Sequence, residues 1–358
     1  MWGLLFLVAI ISLFFSVDIK YSLNSIRGEL IKGVMLFFIG LHIISTQAAL
    51  ARLWRIVLLG IIIMSLAGII LFLPQIASWT DILKFSGARA KSLCRDYGHF
   101  ATYFAIILPY LLVAPRAFNL KGPTFWFIWV LVFALAMFAA YITYNRILWF
   151  CIPSAAILYF WFLSRRRLLA GLMGAILLLT IAVCLINATQ HSHGEKWEHV
   201  WGSTQKPEKL GGTAGDLLKV WIFSFEKLRT NPLVGVGFGK YNFGHAYPEF
   251  VQANHTWLSH NHNVFMDTAI QTGIQGLLAF LAMLTFILVR LWPHAPPKPG
   301  DILGCFRLAT VIMIFSYMLR NQTDSFFVNY PALLFWLLIG LALASYWLKV
   351  STNVESPG

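Results

Sequence analysis

Long apolar runs alternate with short polar breaks along most of this chain. They lie near residues 2–17, 30–47, 53–73, 99–115, 124–144, 147–163, 168–187, 263–291, 304–320 and 331–348. A helix rising 1.5 Å per residue needs roughly 20 apolar residues to cross about 30 Å of hydrocarbon, so about ten spans are expected. The first run is short for a full crossing. No small-residue cleavage signature follows it, so it reads as a retained helix and not as a signal peptide. One long polar stretch, 188–261, interrupts the pattern and divides the chain into N-terminal helices (1–187), a loop (188–261) and C-terminal helices (262–358). Within it, Asp216 to Arg229 mixes apolar and charged positions at helical spacing. That segment either lies in the membrane interface or packs on the bundle. Asn231-Pro232 ends it.

Composition agrees with the pattern. Apolar residues make up 59% of the chain and charged residues 11%, against roughly 25% charged in soluble domains. The expected fold class is all-α, a polytopic membrane protein of about ten transmembrane helices with one large periplasmic loop. No internal repeat of transporter type and no soluble cytoplasmic domain stands out.

Lys and Arg concentrate in short loops on the cytoplasmic side. Arg165-Arg166-Arg167 sets that side, and Arg52, Arg55, Arg116, Lys121, Arg290, Lys298, Arg307 and Lys349 then fall with it. Both termini are expected inside and the 188–261 loop outside, where acidic and basic residues nearly balance. The net charge of +13 is mostly topology and implies no nucleic acid. Cys151, Cys184 and Cys305 lie in apolar runs and Cys94 alone in an outer loop, so no disulfide framework is expected.

The candidate chemistry lies among polar residues kept near the outer face, where ionisable groups are expensive. His191, His193, Glu195, Glu198 and His199 have metal-ligand side chains, but they sit among Gly, Ser, Thr and Lys without fixed spacing, so no metal is expected. Gly235-Val236-Gly237-Phe238-Gly239 lacks the strand that a dinucleotide fingerprint requires and reads as a tight, flexible connection. Three Asn-x-Thr triplets, at Asn187, Asn254 and Asn321, read as chance. At the mouth of the 263–291 run stands His262-Asn263, followed after nine residues by Gly273-Ile274-Gln275-Gly276. A helix N-terminus carries roughly half a positive charge and favours a neutral imidazole with a free lone pair. Asn261 or Ser259 is the expected cap, which leaves His262 in the first turn. Asp267 lies deeper and is placed to bond a loop group or to orient Arg or His. Gly273 and Gly276 permit close helix packing. Arg146, in Thr143-Tyr144-Asn145-Arg146, adds an outer cation, joined by Arg89, Lys91, Arg95 and Arg320. The guanidinium fork suits phosphate oxygens, so several outer arginines against the inside bias point to an anionic ligand approaching from the bilayer.

From about Ser16 onward the chain resembles the bacterial O-antigen ligase and polymerase superfamily. The resemblance rests on His-Asn, nine residues, Gly-x-x-Gly at 262–276 and on the long loop ending in Pro232-Leu233-Val234-Gly235-Val236-Gly237. It is supported by Asn145-Arg146 and by Asp96-Tyr97-Gly98-His99-Phe100 entering a span with Pro109. In two respects the chain departs from the pattern. Leu217 stands where the family usually carries an arginine four residues before the loop tryptophan, here Trp221, with Lys219 or Arg229 as substitutes. The spans are also fewer than ligases commonly have.

The resemblance implies transfer of a finished glycan from undecaprenyl diphosphate to a lipid A-core hydroxyl, in a multi-pass protein of the bacterial inner membrane with its site facing the periplasm. His262 would be the base or acceptor-orienting residue. Arg146 would bind the diphosphate, with Arg95, Arg89 and Lys219 adding charge, and Asn263, Asp267, Gly273 and Gly276 would support the site. The partners implied are the lipid-linked glycan, the lipid A-core acceptor and membrane lipids. Neither cofactor nor metal is implied, because arginines neutralising the leaving diphosphate take the metal's place. An O-antigen or capsule polymerase is the nearest alternative. A secondary transporter or lipid flippase would be expected to place carboxylates or broken helices near mid-membrane, and only Asp267 lies well inside a predicted span.

Overall fold

The computed structural model describes residues 2–76, 82, 88–164 and 212–354, and every regular element among them is helical. The elements are α1 (Trp2–Leu13), α2 (Ile19–Ser25), a π-helical turn (Ile26–Ile31), α3 (Lys32–His42), α4 (Gln47–Phe72), α5 (Tyr97–Ala117), α6 (Pro123–Tyr141), α7 (Leu148–Leu163), α8 (Gly212–Thr230), α9 (Asn242–Ala246), α10 (Pro248–Ala253), α11 (Val264–Leu291), α12 (Ile302–Arg320) and α13 (Asn329–Val354). Among the described residues six stretches, Gln47–Gln75, Tyr97–Ala117, Pro123–Tyr141, Val264–Leu291, Ile302–Arg320 and Asn329–Leu348, are long and apolar enough to cross a membrane; α1 and α7 are shorter apolar helices. The protein is thus an all-α, multi-pass membrane protein. Of the run expected at 30–47, residues 30–42 belong to the 19–42 stretch of α2, the π turn and α3, and the remainder leads into α4. The run at 168–187, Arg165 to Arg167, Cys184, Asn187 and the His191–His199 group lie outside the described residues.

Local sequence sets the helix ends. Thr46 caps α4 by accepting from the Ala49 amide at 3.1 Å, and Asp96 caps α5 by accepting from His99 N at 2.9 Å. Such caps satisfy amides that have no intrahelical partner. Gly122, at φ +89°, turns the chain into Pro123 at the start of α6.

The chain forms two compact units. One holds 36–190, 288–320 and 334–358. Here α5 and α12 are mostly buried, whereas few residues of α4 and α6 are. Exposed apolar surface on a spanning helix is the surface expected to meet lipid. The core of this unit joins Trp54, Tyr110 and Phe306, with ring centres 5.0–6.0 Å apart, and Tyr110 and Thr310 share a hydroxyl hydrogen bond of 2.8 Å. Gly40 of α3 and Gly340 of α13 each face the other helix's backbone so closely that a Cβ would clash, the approach that small residues permit between spanning helices.

The other unit holds 1–35, 191–287 and 321–333. Its apolar cluster joins Val220 and Leu228 of α8 to Phe243, Leu258, Ala269 and Ile270. The amphipathic segment 216–229 is therefore a helix packed on its neighbours through Leu217, Val220, Ser224 and Leu228. Its opposite side exposes Ile222 and Phe225.

Candidate active site around His262

The mouth of α11 is built by Asn263, whose Oδ1 accepts from Phe265 N at 3.0 Å and Met266 N at 3.2 Å. Asn263 is the cap, not Asn261 or Ser259, because it alone precedes the first helical residue with an oxygen in reach of those amides. His262 consequently lies outside the first turn, in a left-handed backbone conformation at φ +54°. Asn263 Nδ2 donates to Gln322 Oε1 at 3.0 Å, and Val264 N donates to Asn321 O at 3.0 Å. These bonds bring the 321–328 connection against the helix mouth, and with it Asp324.

Asp324 organises the site. Its Oδ1 lies 3.3 Å from Lys240 Nζ, 3.1 Å from His260 Nε2 and 3.3 Å from His262 Nδ1. Burial works against the carboxylate, but its bonds to His260 and His262 and the nearby Lys240 charge hold it well below the usual carboxylate range. Lys240, itself buried, also donates to Ser325 O at 2.7 Å. His260 donates from Nε2 to Asp324, and its buried Nδ1 has no partner. Burial pushes its pKa down to about 3, against the pull of Asp324. His262 donates from Nε2 to the Trp257 carbonyl at 2.9 Å, which puts the ring's remaining nitrogen toward Asp324. Its ring centre lies 3.7 Å from that of His260 and 4.9 Å from that of Trp257.

His260, His262 and Asp324 offer ligand atoms within 4.8 Å of one another, as a metal ion would need. Two observations favour a hydrogen-bonded charge network. Lys240 already shares Oδ1, and two imidazoles on one tetrahedral ion stand with ring centres about 5 Å apart, against 3.7 Å here.

Asp267 is buried, and its Oδ1 accepts from Asn261 N at 2.8 Å and Asn261 Nδ2 at 3.1 Å. It therefore bonds a loop group, one of the roles the sequence suggested. Asn261 in turn bonds Ser224 Oγ, and its carbonyl accepts from Trp221 Nε1 at 2.8 Å. One buried residue thus fastens α8 to the segment that carries His262.

Gly273 does more than allow packing. At φ +77° and ψ 176° it breaks α11. The freed carbonyls of Ile270 and Gln271 accept from Val236 N at 2.9 Å and Gly237 N at 3.0 Å, while Ile274 N donates to Pro232 O at 2.8 Å. Gly235 lies against the Gln271 backbone without room for a Cβ. The glycine-rich segment is therefore a docked strap and not a flexible connection, and it delivers Lys240 to Asp324. Gly276 does pack closely, with Thr272 and Val8 at the place of its missing Cβ.

Lys219 is exposed and paired with Asp216 at 3.5 Å. It belongs to the same unit as His262, as do Asn263, Asp267, Gly273 and Gly276. Leu217 is buried, so the family's arginine position here faces inward, and Arg229 is exposed. Arg89, Arg95 and Arg146 belong to the other unit. Arg146 is exposed in the turn between α6 and α7. Arg89 lies over the Tyr97 ring at 4.4 Å, and Arg95 is exposed beside Asp96, which holds His99 Nδ1 at 2.8 Å. Arg320 is fully buried, not displayed at the surface.

A single stretch covers α7, α8, the strap and the His262 helix mouth, and it matches a known family model. Residues 129–281 match the model of the O-antigen ligase family. The match takes in Arg146, Lys219, His262, Asn263, Asp267, Gly273 and Gly276, and leaves Arg89, Arg95 and Asp324 outside. O-antigen ligase family members are glycosyltransferase-like enzymes acting on lipid-linked glycans with lipid acceptors. No curated protein matches the chain. Sequence reasoning missed Asp324 and Lys240; His260 stands with His255 and His262 at the end of the loop but was given no role. Asp324 stands in Asn321-Gln322-Thr323-Asp324-Ser325, a short polar run between two apolar ones, and an acid between outer spans was the signal available.

Proposed function

We propose that this chain is an O-antigen ligase, transferring a glycan from undecaprenyl diphosphate to a lipid A-core hydroxyl on the periplasmic side of the inner membrane, without a metal. The observation that carries the reading is His262 within the ligase domain, fixed through Nε2 by a backbone carbonyl and set with Nδ1 against a carboxylate. The acceptor oxygen attacks the anomeric carbon, the bond from that carbon to the phosphate oxygen breaks, and undecaprenyl diphosphate leaves with the bonding pair. His262 orients the acceptor hydroxyl and, as the base, takes its proton at Nδ1, the nitrogen that keeps a lone pair while Nε2 donates to the Trp257 carbonyl, and Asp324 stabilises the imidazolium that results. Arg146, with Arg89, Arg95 and Lys219, neutralises the diphosphate, which lets it leave without a bound cation. Attack from the face opposite the diphosphate inverts the anomeric centre.

The test is lipopolysaccharide gel profiling of a deletion strain. Deletion is expected to retain core, lose the whole O-antigen ladder and accumulate lipid-linked polymer. Wild type restores the ladder, whereas His262→Ala and Arg146→Ala at normal protein level reduce it by about 100-fold or more. Full restoration by both variants overturns the assignment. A single unit left on the core after deletion makes the protein a polymerase instead. Activity is expected to survive a chelator; loss restored by added divalent metal contradicts the arginine account.

A further inference from the structure

Beside His262 a short 3-10 turn, Thr256–Leu258, presents an aromatic surface to the outside. Leu258 is fully buried in the apolar cluster and its amide donates to His255 O at 2.9 Å. The turn is therefore held from inside while Trp257 is turned outward, 38% exposed. His255 continues the surface, with its ring nearly parallel to the indole at 15° and centres 6.4 Å apart, and its Nε2 lies 3.5 Å from Asp216. The Trp257 indole N–H has no protein partner among the described residues.

We propose that Trp257, extended by His255, is the floor of a pyranose-binding subsite that seats a sugar ring next to His262. The inference rests on the glycosyltransferase reading and names how that site holds its sugar. The C–H face of a pyranose is apolar and its rim is hydroxylated. A flat indole whose N–H has no partner among the described residues, bordered by a carboxylate and imidazoles, complements both. The placement is fixed twice relative to His262, by the edge contact of 4.9 Å and by the Trp257 carbonyl that holds His262 Nε2. A tryptophan exposed near a membrane also serves as a headgroup anchor, but such an anchor requires no bond to His262 and no charged rim.

Both donor and acceptor carry pyranose rings, and the experiment separates them. Full-length protein in detergent micelles is mixed, in separate samples, with delipidated core oligosaccharide and with released O-unit glycan, and saturation-transfer NMR records which sugar protons contact the protein. Transfer to one of the two is expected, and its identity names the source. Trp257→Ala is expected to bind that sugar about tenfold more weakly, while Trp257→Phe, which keeps a flat ring, retains much of the signal. Absence of transfer to either sugar in the wild type, or equal transfer in Trp257→Ala, overturns the subsite. Reduced membrane yield of Trp257→Ala with undiminished sugar contact assigns the residue to lipid anchoring and overturns it as well. Because binding is read without turnover, this result is independent of whether His262→Ala abolishes ladder formation.

Discussion

Lys240, His260 and His262 reach Asp324 Oδ1 across sequence separations of 84, 64 and 62 residues. A carboxylate in such a setting accepts charge-assisted bonds that a neutral amide replaces only partly. Removing it leaves the buried ammonium of Lys240 without its counter-charge, which is destabilising. Asp324→Ala is expected to lower the unfolding temperature in micelles and to abolish transfer; Asp324→Asn, which keeps an acceptor, is expected to restore folding ahead of activity. A wild-type melting curve for Asp324→Ala contradicts the charge network.

Acid has a predictable effect on the same residues. His260 binds a proton near 6.5 when unfolded but only near 3 when folded. Between those values the unfolded chain holds more protons, so stability falls as pH is lowered through that window. Asp324, held down in the folded state, contributes stability that is present above its ordinary 3.8 and lost below it, so the two effects have the same sign. Unfolding followed against pH is expected to show the loss beginning near 6.5, with a shallower slope in His260→Asn. Identical slopes contradict the assignment of His260 as a buried neutral imidazole. None of this was legible in the sequence. His262 was visible through its neighbours Asn263 and Gly273, whereas Asp324, Lys240 and His260 meet only after folding and share no spacing.

At the scale of elements, apolar run length located most of the spanning helices among the described residues, because a span must satisfy its backbone internally and cover the hydrocarbon thickness. Runs at 53–73, 99–115 and 304–320 became α4, α5 and α12 within a few residues, except that α4 begins earlier, at Gln47. Hydropathy carried no information about the interruption of α11, since Gly273 sits in an otherwise continuous apolar pattern. Its backbone conformation is one that side chains rarely adopt, at a cost of about 1–3 kcal/mol. Gly273→Ala is therefore expected to destabilise the break and loosen the 232–239 strap, with Lys240 losing its place on Asp324. Limited proteolysis within the strap, faster in Gly273→Ala than in wild type, checks this; Gly276→Ala, which crowds Thr272 and Val8 but needs no unusual backbone, is expected to leave strap cleavage nearer to wild type. Equal cleavage in all three argues that the strap is held by something other than the helix break.

For the whole molecule the decisive question is which side of the membrane His262 faces. Arg116, Lys121 and Lys298 lie at or beside breaks between spans, Arg52 and Arg55 in the N-terminal part of α4 and Arg290 at the end of α11; from this distribution the positive-inside rule predicts that these ends face the cytoplasm and that the 188–261 loop and His262 lie outside. Undecaprenyl-linked glycan and lipid A-core meet on the periplasmic face, so the ligase reading requires that same orientation. Alkaline phosphatase fused after residue 200 is expected to be active and a fusion after residue 296 inactive, and a cysteine placed at Lys219 is expected to react with a membrane-impermeant maleimide added to intact spheroplasts. The reverse pattern would place His262 beside the cytoplasm, away from both substrates, and would remove the basis for ligation even though the residues of the site remained unchanged. The charge asymmetry that bears on orientation and the charge cluster at Asp324 draw on different residues. A Lys240→Gln variant is accordingly expected to lose transfer while giving the wild-type fusion pattern, because one lysine within a long loop contributes little to topology and much to the Asp324 carboxylate beside it.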